Sequence, residues 1–256
     1  IMIILSAILT GLAQQPLGLG WLAWFSLIPL IFEIQNICSF KDYLKLGFTW
    51  GFFYNLTIIF WIAQNLGTNL TIGIISMFSA VILFAMNTIL IMVVFYFIKR
   101  RVGQFSYLLL PFIWVSIEYI RSFGALANPW ISLANTQIDF LTLIQNAEYT
   151  GIYGISFWLV LLNLLGYEWY CEKNKKSAFS WLFIFSLPWI TGLIIMPPPI
   201  TNIQDSIDVT IVQPNVHLSE KRQQGAIPKN INNLLKLSFP DNYEKDRLVI
   251  WPETST

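Results

Sequence analysis

Long apolar runs fill the first 200 residues, with neither the alternation of a strand nor the one-sided stripe of a surface helix. About 20 mostly apolar residues are needed to cross roughly 30 Å of hydrocarbon. The runs therefore predict an α-helical multi-pass membrane bundle of about seven transmembrane helices: Ile1 to Gln15, Leu17 to Ile34, Leu46 to Leu66, Thr71 to Ile98, Ser106 to Ile120, Gly151 to Tyr170 and Phe179 to Met196. The first is short. With no basic region ahead of it and no small-residue cleavage site behind it, it reads as a membrane helix that has lost its opening residues, not as a signal peptide.

Polar punctuation orients the bundle. Lys41, Asp42 and Lys45, then Lys99-Arg100-Arg101, then Lys173, Lys175 and Lys176 follow the second, fourth and sixth runs. Basic loops stay on the cytoplasmic side, so the chain beyond the seventh run is expected outside the cytoplasm. Arg121 falls at an outer helix end, where Glu118 can pair with it as an interfacial anchor. The stretch Ser122 to Thr150 is too long for a tight turn and too apolar for a solvated loop. It holds Asn128-Pro129-Trp130, Gln137, Asp139 and Glu148, which suits either a segment dipping into the outer bilayer surface or an ordered loop anchored by Trp130.

Pro197-Pro198-Pro199 stops the seventh helix, because proline cannot continue it. The expected division is a transmembrane domain over 1–199 and the start of a water-facing domain over 200–256. In the latter, Ile207 to Gln213 reads as a strand, Pro228 to Leu237 as a helix and Arg247 to Trp251 as a second strand. That order predicts a βαβ unit with parallel neighbouring strands.

Composition agrees: 55% of residues are hydrophobic, 16% aromatic and 11% charged. Of the 15 Lys and Arg and 14 Asp and Glu, residues 201–256 hold 6 and 7, so the tail is a different, more polar piece. It carries no basic run and gives no reason to expect nucleic acid. Cys38 and Cys171, each beside a basic loop, are expected reduced. No metal site and no cofactor is expected.

In an open α/β sheet, ligands bind beyond the carboxyl ends of strands. The second predicted strand runs straight into Trp251-Pro252-Glu253, which sets the Glu253 carboxylate at such an edge, in a setting that suits general-base chemistry. An apolar strand followed by Trp-Pro-Glu, behind a multi-helix membrane region, resembles the bacterial apolipoprotein N-acyltransferase family and the start of its nitrilase-like, carbon-nitrogen hydrolase domain. Further stretches carry the resemblance: Gly47-Phe48-Thr49-Trp50-Gly51 leading to Trp61, Glu118-Tyr119-Ile120-Arg121, Asn128-Pro129-Trp130 with Gln137-Ile138-Asp139, Gly151-Ile152-Tyr153-Gly154-Ile155, and Val212-Gln213-Pro214-Asn215.

The resemblance implies acyl transfer at the bacterial inner membrane, with the C-terminal part on the periplasmic side. A cysteine takes an acyl chain from a phospholipid donor and passes it to the amino group of a diacylglyceryl-modified apolipoprotein, the last step of lipoprotein maturation. It implies Glu253 as proton acceptor, alongside a family Lys and a nucleophilic Cys that no position here matches. A chain of these 256 residues is therefore expected to be an amino-terminal fragment, inactive alone, and a monomer. Pro214 stands where the family usually has Gly, and Lys221-Arg222 where it has Lys-Trp, while His217 in the same loop reads as solvated. Two other readings compete. One is a transporter with a small extracytoplasmic domain, against which Glu33, Glu118, Glu148 and Glu168 all fall near helix ends. The other is a nitrilase-like acyltransferase with another acceptor.

Overall fold

A computed structural model describes residues 1–64, 69–124, 127–198, 207–216, 220, 223, 225–239 and 247–252. The chain divides into two units, Ile1–Gln64 with Leu70–Met196, and Asn65–Asn69 with Pro197–Thr256.

The first unit is helical: α1 (Met2–Leu12), α2 (Ile28–Asn36), α3 (Phe40–Ile59), α4 (Leu70–Val102), α5 (Ser106–Ile120), the single turn α6 (Leu141–Ile144), α7 (Ala147–Glu172) and α8 (Lys175–Ile195). Each of the seven apolar runs contains a helix, but among the described residues only four helical stretches are long and apolar enough to cross a membrane: Phe40–Gln64, Leu70–Ile120, Ala147–Glu172 and Lys175–Ile195. At 1.5 Å per residue, the 11 residues of α1 reach about 16 Å, half the hydrocarbon thickness. The second run is not one helix. It opens as a 3₁₀ segment, Gly20–Trp24, and becomes α2 only at Ile28. The interruption is satisfied from α7, where the Asn163 side chain accepts from Leu27 N at 2.9 Å and donates to Ala23 O at 2.8 Å. The long stretch Leu70–Ile120 is broken into α4 and α5 at Gly103, whose φ of +62° suits glycine.

The α3 and α4 helices pack most extensively. Gly47 and Gly51 permit this, since a Cβ on Gly47 would lie 2.8 Å from Ile89 Cα and one on Gly51 3.0 Å from Ala85 Cα. Behind them Trp50 is fully buried, stacked on Tyr54 at 4.7 Å and edge-on to Trp114 of α5 at 5.6 Å. The apolar surface of α8, including Leu182, Phe183, Ile190 and Leu193, stays exposed. Such a helix is stable only in an apolar solvent.

In the second unit β1 (Asp208–Ile211) and β2 (Arg247–Ile250) pair in parallel, Asp208 opposite Arg247 and Ile211 opposite Ile250, with α9 (Ala226–Ser238) between them in sequence. Val212 N adds a bond to Ile250 O at 3.0 Å. The strands are shorter than the apolar pattern suggested, and Pro214, which has no N–H, stands just beyond the first. Leu234 of α9 is fully buried, and Trp251 Nε1 donates to Ser238 Oγ at 2.8 Å.

The α3–α4 approach yields a prediction. Gly47→Val forces side-chain atoms onto the α4 backbone and should cost about 1–3 kcal/mol, read as a lowered thermal midpoint in detergent, whereas Gly103→Asn, at an open left-handed position, should change it little.

Candidate functional site

Irregular backbone is tolerated at membrane depth only where every N–H and C=O finds a partner inside the protein. In residues 128–140 side chains supply several of those partners. Pro129–Ile131 and Leu133–Gln137 are 3₁₀ turns, and where they join, Ile131, Ser132, Leu133 and Ala134 are buried. Four elements supply the partners. Gln14, just beyond α1, donates from Nε2 to Ser132 O and to the Tyr54 hydroxyl, both at 3.0 Å. The Tyr54 hydroxyl of α3 donates to Ile131 O at 3.2 Å. Glu118 of α5 accepts from Leu133 N at 2.9 Å, and Ser156 of α7 accepts from Ala134 N at 3.0 Å. Farther along, the buried Gln137 accepts from Trp24 Nε1 at 2.8 Å and donates to Gly20 O at 2.9 Å, and Gln15 Nε2 reaches Asp139 Oδ2 at 2.6 Å.

Glu118 is central to this arrangement. It is 95% buried, so it is not the wet interfacial anchor that its place near a helix end suggested. Its Oε1 accepts from Trp114 Nε1 at 3.2 Å as well as from Leu133 N. The Arg121 guanidinium stands 3.9 Å away, an ion pair too long for a hydrogen bond. The carboxylate is thus bound by neutral donors, with the cation supplying charge balance.

The pinned segment walls a groove of about 500 Å³ between the end of α3, α4 and residues 127–131. Ile58, Trp61, Leu83 and Trp130 line it, and the one buried amide oxygen on its wall without a partner is Asn128 Oδ1. Trp130 is 80% exposed at its rim. A mostly apolar space of this size with few polar groups is of the kind that holds small ligands.

Not all sequence-predicted residues enter this picture. Glu253 lies outside the described residues, as do His217, Lys221 and Arg222. Trp251 and Pro252, which lead to Glu253, are half-buried in the second unit. Cys38 and Cys171 are exposed, the first after α2 and the second in the last turn of α7, neither in the groove. Among the described residues no cluster of His, Cys, Asp and Glu could hold a metal. Trp50, Glu118, Arg121, Asn128, Trp130, Gln137 and Asp139 belong to the pinned segment or its supports. Gln14, Tyr54 and Ser156 were not anticipated, and the only sequence signal for them is a polar residue inside an apolar run.

Helices of membrane-spanning length, an outer face that needs lipid, and a pinned segment over an apolar groove define a polytopic membrane protein. Residues 6–165 match the family described as apolipoprotein N-acyltransferase N-terminal domain, and the chain belongs to that family. It is similar to the apolipoprotein N-acyltransferase of Chlorobaculum tepidum, at 28% identity over 98% of this chain and 48% of that protein. The enzymes of Geobacter metallireducens (34% identity, 64% of this chain, 32% of that protein) and Rickettsia prowazekii (26%, 100% and 52%) are further relatives. The chain spans about half the length, or less, of the curated relatives it matches.

Glu118 offers a direct test of the pinning. Glu118→Leu leaves Leu133 N, Trp114 Nε1 and Arg121 without their partner and should cost about 3–5 kcal/mol. Glu118→Gln keeps an accepting oxygen and should cost about 1 kcal/mol. Thermal unfolding in lipid nanodiscs measures both, and equal losses would contradict the hydrogen-bond account.

Proposed function

We propose that these 256 residues form the membrane half, and the beginning of the catalytic domain, of an apolipoprotein N-acyltransferase. The enzyme moves an acyl chain from a phospholipid to the amino group of a lipid-modified N-terminal cysteine. Family membership across residues 6–165 is the observation that carries this reading. The groove supports it physically: an acyl chain fits an apolar space of about 500 Å³ facing lipid, and exposed Trp61 and Trp130 suit the level of head groups.

In this reading the chain crosses the inner membrane seven times, residues 1–199 are the transmembrane domain, and residues 200–256 open a nitrilase-like domain on the periplasmic side. Alternation of the basic loops favours that orientation. The short α1 and the broken second run count as crossings only as parts of the bundle, where α3 and α7 satisfy and cover them. Glu253 follows β2 and is the base that takes the thiol proton of the enzyme's nucleophilic cysteine, then serves the attacking amine. Proton transfer of this kind contributes about 10²- to 10⁴-fold. These residues carry no cysteine besides Cys38 and Cys171, so a polypeptide of them alone has no acyltransferase activity. The enzyme acts as a monomer, since each step needs one groove and one catalytic domain.

The experiment uses a full-length enzyme that contains this sequence. Glu253→Gln, nearly isosteric and unable to take the proton, should leave membrane yield unchanged and lower thioester formation from phospholipid by about 10²- to 10⁴-fold. Normal yield with normal thioester formation would remove Glu253 from the mechanism. Ala80→Trp, which fills the groove, should reduce photocrosslinking of a phospholipid bearing a diazirine in its acyl chain. Undiminished crosslinking would place the chain elsewhere.

A further inference from the structure

Beside the groove, a second and much smaller space lies among α3, α4 and α5. It measures about 20 Å³ and is lined by Tyr54, Asn55, Asn87, Thr88, Glu118 and Arg121, among others. Three of these residues present buried polar atoms with no hydrogen-bond partner: Asn55 Oδ1, Glu118 Oε2, and Nε and Nη2 of Arg121. The Ser156 hydroxyl lies near the Glu118 carboxylate but donates no bond of good geometry to it. Asn55 Nδ2 is spent on Gly51 O of its own helix at 2.7 Å, so its oxygen is the group left over. Buried polar groups in native proteins are nearly always satisfied, and several orphans around one space point to a shared partner.

We propose that this space is a binding site for one ordered water molecule, which joins α3 to α5. Size decides first: about 10–15 Å³ suffices for one water, and 20 Å³ leaves no room for a phosphate or a head group. Chemistry decides next. The orphans comprise two acceptors and a donor group, and water can donate to Asn55 Oδ1 and Glu118 Oε2 while accepting from the Arg121 guanidinium. A halide would accept from Arg121 but face the Asn55 oxygen and a carboxylate. A metal cation would meet the guanidinium charge. Water alone matches the full set. Its consequence is mechanical: α3 and α5 otherwise meet here through the Trp50–Trp114 contact, and a bridging water adds a polar tie that fixes the guanidinium beside Glu118.

The test is nuclear magnetic resonance on the chain labelled with ¹⁵N-arginine in lipid nanodiscs, with the Arg121 Nε–H resonance assigned by its loss in Arg121→Lys. The wild type should show a cross-relaxation peak between that proton and water, unchanged when chloride is replaced by bromide. Asn55→Leu, which removes one acceptor and fills the space, should abolish the peak. A wild-type proton without a water peak overturns the proposal, as does a peak that persists unaltered in folded Asn55→Leu. A resonance that moves with the halide would assign the site to an anion instead. Should Asn55→Leu fail to fold, the wild-type spectrum decides alone.

Discussion

The hydrogen bond from Leu133 N to the buried Glu118 carboxylate carries more of this structure than its single distance of 2.9 Å suggests. In hydrocarbon an unpaired backbone group costs several kcal/mol, which is why membrane-embedded chains are ordinarily helical throughout. Residues 128–140 escape that restriction because Gln14, Tyr54, Glu118 and Ser156 take the place of the missing ladder. A segment freed from helical geometry can turn Trp130 outward and Ile131 inward within two residues, and it thereby forms one wall of the groove. The same device recurs where Asn163 satisfies Leu27 N and Ala23 O, so that the second apolar run can bend.

Packing supplies the frame on which those side chains stand. The glycines of α3 bring it against α4, and the Trp50–Tyr54–Trp114 group fixes α3 relative to α5. The Tyr54 hydroxyl and the Glu118 carboxylate then arrive at the segment from two helices already in register.

Much of the helical layout was legible from hydropathy. The run Ser106 to Ile120 coincides with α5 because glycine precedes it at Gly103 and a charge follows it at Arg121. The runs at 151–170 and 179–196 fall on α7 and α8 for similar reasons. The break in the second run was not legible, because its cause is Asn163, 136 residues from Leu27. Gln14 and Ser132 are 118 residues apart, and no periodicity connects them. Glu118 was visible as an ionisable residue in an apolar run, yet its sequence position near a helix end disguised its burial. The parallel pairing of β1 with β2 followed from the strand, helix, strand order, whereas Glu253 was read from a short motif and from resemblance.

Site-resolved hydrogen exchange of the wild-type chain in lipid nanodiscs tests most directly whether side chains hold the segment as firmly as a helix would. The amides of Leu133 and Ala134, bonded to Glu118 and Ser156, should exchange as slowly as the central amides of α5. Exchange of these two at the rate of an open surface loop, with α5 protected, would contradict the account.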